Sequence, residues 1–411
     1  MSVPDGVTRF RRDPGTEQPR ATTLELFFDL VFVFAVTQVS HLLLENLTFE
    51  GAAQALFALL VVWWAWNYTT WVTNELDPYS FVVRLVLIGV MLASLLMAVA
   101  IPEAFGDRAL LFVGAYVTIQ VGRHTFLAFG AAGPGTPERA RAERILTWFV
   151  VSAVFWLAGG FAEGDARTVL WLIALTIDYT VPLVLYWLPF RPRLSGDTWE
   201  VETSHFAERF QLFMIIALGE TIIITGATTA ALDLDAAVIA AFGLAFLSTA
   251  ALWWLYFNYV ARVAEKRLEL APDRTRLARD GYTYMHVLLV AGVILSAVGD
   301  ELVIQHPTDV LPAEELAAVA GGPALYLFAH VLFRLRMAGS LSVKRLVGGL
   351  ACIAAGFVGA FMPALAVAAL LVAILVTVIA LEERSGARRR ALGELSPLER
   401  LEAPSEQAAA R

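Results

Sequence analysis

The chain has 411 residues, of which 58% are hydrophobic and 17% charged, and its formal net charge is −8. Soluble domains carry nearer 25% charged residues, so the composition argues against a soluble protein and favours one that exposes apolar side chains to lipid. The single cysteine, Cys352, excludes an internal disulfide framework and a multi-thiolate metal site.

Apolar windows long enough to cross a membrane, about 20 residues each, recur along the whole chain. They predict spans at 24–44, 52–73, 81–101, 109–129, 145–161, 168–188, 207–229, 236–261, 282–304, 319–338, 346–361 and 363–381. The predicted fold class is therefore an all-α polytopic membrane protein with about 12 transmembrane helices.

The two halves of the chain repeat one another. The segment LELFFDLVFVFAVTQ at 24–38 is matched by AERFQLFMIIALGE at 207–220, and WWAWNY at 63–68 is matched by WWLYFNY at 253–259. An even number of spans per half gives both halves the same orientation, so we expect two same-orientation six-helix repeats.

Five regions follow from this division. They are an N-terminal tail at 1–20, a first repeat at 21–190, a linker at 191–204, a second repeat at 205–382 and a C-terminal tail at 383–411.

Charge distribution predicts the orientation. With the N-terminus placed inside, all but two of the 30 Lys and Arg residues fall in inside segments, as the positive-inside rule requires. The exceptions are Arg108 and Arg167. The sequence therefore predicts a multi-pass protein of the cell inner (plasma) membrane, with the tails and the linker cytoplasmic.

Charged residues near the predicted helix ends form a first polar layer. Glu25 and Asp29 lie four residues apart and share one face of the first helix. Thr22 precedes Glu25 at capping-box spacing, which can explain Glu25 as a cap, whereas Asp29 lies one turn deeper. Because a charge inside lipid costs about 2.5–3.5 kcal/mol or more, Asp29 needs a counter-ion, for which we expect Arg84 or Arg123.

The second half has a similar layer, made of Glu208, Arg209, His286 and Arg334. Together with the first-half residues it could form a charged inner vestibule or gate. The plainer interpretation is a set of helix caps and interhelical ion pairs.

A second polar layer is predicted deeper in the membrane. It contains Glu220 on the seventh span, its repeat mate Gln38, Asp178 on the sixth span and His330 on the tenth. A carboxyl group in a low-dielectric interior can exchange protons near neutral pH, which suits a proton relay or a cation site. The alternative is a neutral carboxyl that makes one interhelical hydrogen bond.

These patterns favour a transport protein that moves a small ion or solute between the first and seventh helices. The predicted lining residues are Glu25, Asp29, Gln38, Asp178 and Glu220, and the predicted ion-pair partners are Arg84, Arg123, Glu208, His286 and Arg334. A non-transporting membrane factor for cold or envelope stress and an intramembrane lipid-modifying enzyme stay open as alternatives.

The sequence disfavours an enzyme, because it has 6 histidines and no recognisable nucleophile constellation. No HExxH, P-loop or GxSxG motif and no Cys/His cluster occurs, so we predict no catalytic residues, no metal and no cofactor. The expected partners are the lipid bilayer and the small ion or solute, not nucleic acid. A homo-oligomer is compatible with the sequence.

Three motifs resemble one known family. LELFFDLVFVFAVTQVSHLL at 24–43, the WW motif after it and ERFQLFMIIALGETI at 208–222 are similar, in this order, to the bacterial low-temperature-requirement A family. The resemblance covers essentially the whole membrane part. It implies a multi-pass inner-membrane protein, in a family named for a cold-growth phenotype, and it implies no particular biochemical activity.

The assignment of Glu220 generates a first prediction. Glu220→Gln removes the titrating group and is expected to abolish pH-dependent flux in proteoliposomes, while the protein still inserts into the membrane. Unchanged flux in this variant would contradict the assignment.

Overall fold

The structure is a computed structural model that describes part of the chain. The described residues are 10, 21–189, 191–194, 199 and 201–402. Within them the regular secondary structure is helical and no β-strand occurs. Most of the predicted N-terminal tail, residue 190 at the end of the predicted first repeat, residues 195–198 and 200 of the predicted linker, and the end of the predicted C-terminal tail lie outside the described residues.

The chain divides into two compact units. The first comprises Met1–Leu42 and Gln54–Arg209, and the second comprises Leu43–Ala53 and Phe210–Arg411. The two units are defined by the contacts within each of them and not by any similarity between them. The two-repeat organisation therefore stays a prediction.

The first unit contains most of the first two helices and the four that follow them. They are α1 (Thr23–Glu45), α2 (Phe49–Glu75), α3 (Phe81–Ala100), α4 (Ala109–Thr125), α5 (Pro137–Phe161) and α6 (Gly164–Thr180). Of these, α3 packs on α4, α4 on α5 and α5 on α6. The loop that joins α1 to α2, with the adjoining helix ends, belongs to the second unit.

The second unit contains the remaining helices. They are most of α7 (Thr203–Ala230), then α8 (Ala236–Phe257), α9 (Val260–Glu269), α10 (Arg274–Leu277), α11 (His286–Gln305), α12 (Ala313–Ala338), α13 (Val343–Gly359) and α14 (Ala364–Ala391). Here α12 packs between α11 and α13, α13 packs on α14, and α14 packs on α8. The unit boundary falls inside α7, after Arg209.

The all-α polytopic class is confirmed. In the described part of the chain, 10 helical segments are long and apolar enough to cross a membrane. Each of the predicted windows overlaps a long helix, but α4 and α13 have 17 residues each, at the lower limit of what spans the hydrocarbon core. The predicted count of 12 spans therefore stays a prediction.

Several helix ends differ from the prediction. α5 begins at Pro137 and α14 runs to Ala391, both through charged residues that an apolar window leaves out. Arg, Glu and Ala are strong helix formers, so these helices continue beyond their apolar parts. The predicted span 236–261 is interrupted, because α8 ends at Phe257 and α9 begins at Val260.

A short helix at 397–402 follows α14 in the C-terminal tail. The backbone N–H of Ser396 donates to Oε2 of Glu399 over 2.6 Å, and the N–H of Glu399 donates to the Ser396 hydroxyl oxygen over 3.2 Å. These hydrogen bonds form a capping box and hold the pKa of the Glu399 carboxyl below its usual value.

Glycine allows α11 and α12 to touch through their backbones. A Cβ on Gly322 would lie 2.4 Å from the backbone nitrogen of Ser296, and one on Gly292 would lie 2.8 Å from Cα of Tyr326. A real side chain does not fit at such distances, so both positions require glycine. Small residues at helix contacts are how helices in lipid come close enough to associate.

This contact predicts different effects for two neighbouring glycines. Gly322→Ala is expected to lower the free energy of unfolding by about 1–3 kcal/mol, because the added methyl meets fixed backbone. Gly321→Ala is the matched control: its Cβ would lie 3.3 Å from the flexible end of Leu295, and alanine favours the helix by up to about 1 kcal/mol. Thermal unfolding of the purified protein in detergent measures both. Equal effects of the two substitutions would contradict the backbone contact.

Candidate functional site

Four charged or ionisable side chains meet inside the first unit. Glu25 and Asp29 come from α1, and His205 and Arg209 come from the first turns of α7. Each pair has i,i+4 spacing, so each presents its two side chains on one face of its helix. All four side chains are 0% exposed. We call these four residues the charged cluster.

Arg209 is shared by the two carboxylates. Its Nη1 lies 3.2 Å from Oε1 of Glu25, and its Nη2 donates a short hydrogen bond to Oδ1 of Asp29. The guanidinium also lies over the ring of Phe28, 5.8 Å from the ring centre. Inside lipid a charged side chain needs a partner of opposite charge. For Arg209 these partners lie in the same unit.

Glu25 is both a helix cap and an ion-pair partner. Its Oε2 accepts hydrogen bonds from the backbone N–H and the hydroxyl of Thr22, each over 2.9 Å. Its Oε1 lies 3.0 Å from Nε2 of His205 and also meets Arg209. The sequence left two interpretations of Glu25 open, a helix cap and an interhelical ion pair. Its contacts show that it is both.

Asp29 is bonded on one side only. Its Oδ1 accepts from Arg209 and from Nε1 of Trp66, the latter over 2.8 Å. Its Oδ2 is buried and has no hydrogen-bond partner among the described residues. Nε of Arg209 is likewise buried without a partner among the described residues. Such bare polar atoms are not explained by packing alone, and the bare carboxyl oxygen is the one that can accept a cation.

Helix α2 positions the cluster from a third side. Besides Trp66, it contributes the Thr73 hydroxyl, 3.5 Å from Nη1 of Arg209, and the Asn74 amide, whose Nδ2 lies 3.0 Å from Nδ1 of His205. Asn74 is fixed in turn by the backbone of Glu202, to which it is bonded through both amide atoms.

The predicted counter-ions of Asp29 lie elsewhere. Arg84 donates to the carbonyl of Pro78 over 3.0 Å, and Arg123 donates to the hydroxyl of Thr69 over 2.6 Å. The assignment of Arg84 or Arg123 to Asp29 is therefore wrong, and Arg209 takes that role. The predicted membrane depth of each arginine does not determine which one pairs with Asp29, because the pairing depends on which helices are in contact.

Asp178 belongs to a second buried network of the first unit. Its Oδ2 accepts from the Tyr116 hydroxyl over 2.8 Å and from Nε1 of Trp156 over 3.0 Å. Gln120 donates to the same Tyr116 oxygen over 3.0 Å and accepts a short hydrogen bond from Arg123. Asp178 thus ends a chain of polar side chains that begins at Arg123 and does not join the charged cluster through any hydrogen bond described here.

The remaining predicted residues are dispersed. In the first unit, Glu208 accepts from the backbone N–H of Ala21, just before α1, over 2.9 Å, and Gln38 is half-buried. In the second unit, Glu220 is buried at 4% exposure, and Arg334 is half-buried and donates to the Ser340 hydroxyl over 3.1 Å.

Two histidines of the second unit, His286 and His330, are fully buried. Nε2 of His286 lies 2.7 Å from the Tyr256 hydroxyl, and the His330 ring stands edge-on to Tyr326 with ring centres 4.6 Å apart. In the described part of the chain no group of three or more His, Cys, Asp or Glu residues is arranged to hold a metal ion.

Sequence reasoning did not identify His205, Trp66 or Asn74 as parts of the site. One signal was present for His205: it precedes Arg209 by four residues, the same spacing as Glu25 and Asp29. Trp66 is fully buried, as a packing residue would be, but its indole N–H also donates to Asp29.

Comparisons with known proteins agree on one family. The family profile described as "Bacterial low temperature requirement A protein (LtrA)" matches residues 20–380. An uncharacterized protein of Rhizobium meliloti (strain 1021) is 35% identical over 356 residues, which cover 87% of this chain and 87% of the relative. No solved structure matches the chain significantly.

The shared arginine generates a prediction about stability. Arg209→Gln leaves the buried carboxylate of Glu25 without its cation and is expected to lower the free energy of unfolding by about 3–5 kcal/mol. Adding Glu25→Gln to that variant is expected to recover part of the loss, because one uncompensated carboxylate is then removed.

The control for this prediction is an exposed ion pair of the same unit. Arg108 lies 3.1 Å from Glu103, and their side chains are 43% and 48% exposed, so Arg108→Gln is expected to cost less than about 1 kcal/mol. Thermal unfolding in detergent measures all three variants. A loss for Arg209→Gln no larger than that for Arg108→Gln would contradict the role of the shared arginine.

Proposed function

The chain belongs to the bacterial low temperature requirement A (LtrA) family, and from this premise we propose that it is a transport protein that moves a small ion or solute across the bacterial inner membrane. In this proposal both termini are cytoplasmic, as the distribution of Lys and Arg along the chain favours.

The observation that carries the proposal is the bare oxygen of Asp29. A carboxyl group that serves only to hold helices together gains from having both oxygens bonded, because an unbonded polar atom away from water costs about 1–3 kcal/mol. Asp29 is fully buried, yet its Oδ2 has no partner among the described residues. An oxygen in this state is suited to bind and release a cation.

The rest of the charged cluster would hold Asp29 in place for this role. Arg209 and Trp66 both donate to Oδ1, which fixes the carboxyl and leaves Oδ2 as its reactive atom. Asp178 of the first unit and Glu220 of the second unit, each 4% exposed, are further buried carboxyls and further candidates for a role in transport. Buried ionisable groups inside a membrane protein are functional candidates by default.

The test is flux through purified protein in proteoliposomes, with a pH-sensitive dye inside and gradients of K⁺, Na⁺ and H⁺ applied in turn. Asp29→Asn keeps the shape of the side chain and removes its ability to exchange a cation. It is expected to lower flux by about tenfold or more, because a group that exchanges protons contributes at least this much to a proton-transfer step.

Asp107→Asn is the matched control, since it makes the same chemical change on an exposed side chain of the first unit. Its flux is expected to equal that of the unaltered protein. Full flux through Asp29→Asn would overturn the role of Asp29. No flux under any gradient would overturn the transport proposal and favour a non-transporting membrane factor.

A further inference from the structure

The two carboxyl groups of the charged cluster are bonded in different ways. Glu25 faces four possible donors: the N–H and the hydroxyl of Thr22, Nε2 of His205 and Nη1 of Arg209. A carboxyl group surrounded by donors on both oxygens is an acceptor only, which is the bonding pattern of the anion. Asp29 has donors on Oδ1 alone.

Asn74 settles which nitrogen of His205 holds the proton. The Asn74 Oδ1 accepts from the backbone N–H of Glu202 over 2.9 Å, and its Nδ2 donates to the carbonyl of Glu202 over 3.1 Å. Because a backbone N–H can only donate and a carbonyl can only accept, the amide has one orientation. Its NH₂ group therefore faces Nδ1 of His205, 3.0 Å away.

The tautomer of His205 follows. Nδ1 must accept the hydrogen bond from Asn74, so it has no proton, and the ring proton is on Nε2, where it can be donated to Glu25 at 3.0 Å. His205 is then a neutral imidazole that positions Glu25. It does not supply a positive charge to the cluster.

The charge that Asp29 meets can now be counted. Asp29 contacts Arg209 on α7 and Trp66 on α2, and Arg209 in turn contacts Glu25 on α1 and Thr73 on α2. Of these described residues and His205, Arg209 is the one cation, and it is already engaged by the ionised Glu25. An ionised Asp29 would place a second negative charge on the same cation in a fully buried position, which is strongly unfavourable.

From this geometry we propose that Asp29 holds a proton on Oδ2, and that this proton is the cation exchanged during transport. The inference rests on the proposed function for its second half only. The exchange is a simple dissociation: the O–H bond of the carboxylic acid breaks, the electron pair stays on Oδ2, and the proton leaves to water that reaches the site.

A metal cation does not suit the same position. Metal ions such as Na⁺ and Mg²⁺ bind through several oxygen lone pairs, whereas Arg209 and Trp66 offer N–H donors, and the guanidinium repels a second cation. A proton needs one lone pair, which Oδ2 provides.

Infrared spectroscopy of the full-length protein in liposomes tests the proton directly. A protonated carboxyl has a C=O stretch separate from the bands of a carboxylate, and it shifts on exchange into heavy water. Asp29→Asn is expected to remove one such band. Asp107→Asn, which makes the same change on an exposed carboxyl group of the first unit, is expected to leave that band in place. Loss of the band in Asp107→Asn, or its persistence in Asp29→Asn, would overturn the proposal.

Nitrogen NMR of histidine-labelled protein tests the tautomer without relying on either carboxyl variant. The His205 signals, identified by their absence in His205→Gln, are expected to show a neutral ring with the proton on Nε2. Asn74→Asp replaces the donor with an acceptor and is expected to place a proton on Nδ1. A doubly protonated His205 in the unaltered protein would overturn the charge count.

Flux measurements separate this inference from the transport proposal. If the protein shows the Asp29 band but no flux, the protonation of Asp29 stands and the transport proposal is overturned. Flux in a protein without the Asp29 band would keep transport and overturn the proton assignment.

Discussion

The guanidinium of Arg209 is the interaction on which the interior of the first unit depends. Lipid offers no water to a polar group, so each charge inside the bundle must be met by a side chain or a backbone atom of the same protein. Arg209 meets two carboxyl groups of α1 at once, and α2 supplies Trp66 and Thr73 to complete the surroundings. Because one cation serves both, two carboxyl groups of the same chemical type are bonded differently. One carboxyl group is tied into hydrogen bonds on both oxygens, and the other keeps an oxygen available.

Helix α2 organises polar contacts through a segment that looks purely aromatic. In the first unit Arg123 donates to the carbonyl of Ala65, the residue after the paired tryptophans of WWAWNY. In the second unit Arg345 donates to the carbonyl of Leu255, the residue after the paired tryptophans of WWLYFNY. In each unit, taken by itself, an arginine from another helix binds the motif at the same place. This is what a repeated building block would produce, and it gives the motif a physical role beyond filling space, because its backbone carbonyl accepts a hydrogen bond from a charged donor.

The sequence predicted those features that depend on local spacing. Apolar windows located every long helix, and the Thr22-x-x-Glu25 spacing predicted the cap that α1 has. The depth of Asp29 also predicted that it needs a cation. The identity of that cation could not be predicted, because Asp29 and Arg209 are separated by 180 residues and meet only through the packing of helices. The ends of α5 and α14 were missed for a different reason, since hydropathy identifies the membrane-crossing part of a helix and not where its hydrogen bonding ends.

The glycine contact between α11 and α12 bears on how the protein responds to temperature. The stability of soluble cores weakens on cooling, because burial of apolar surface from water carries a large heat-capacity change. At Gly292 and Gly322 the two helices meet through backbone atoms, in surroundings where lipid and not water is displaced. Such a contact is held by dispersion forces between closely placed atoms. Its strength therefore does not fall on cooling, whereas that of the core of a soluble protein does.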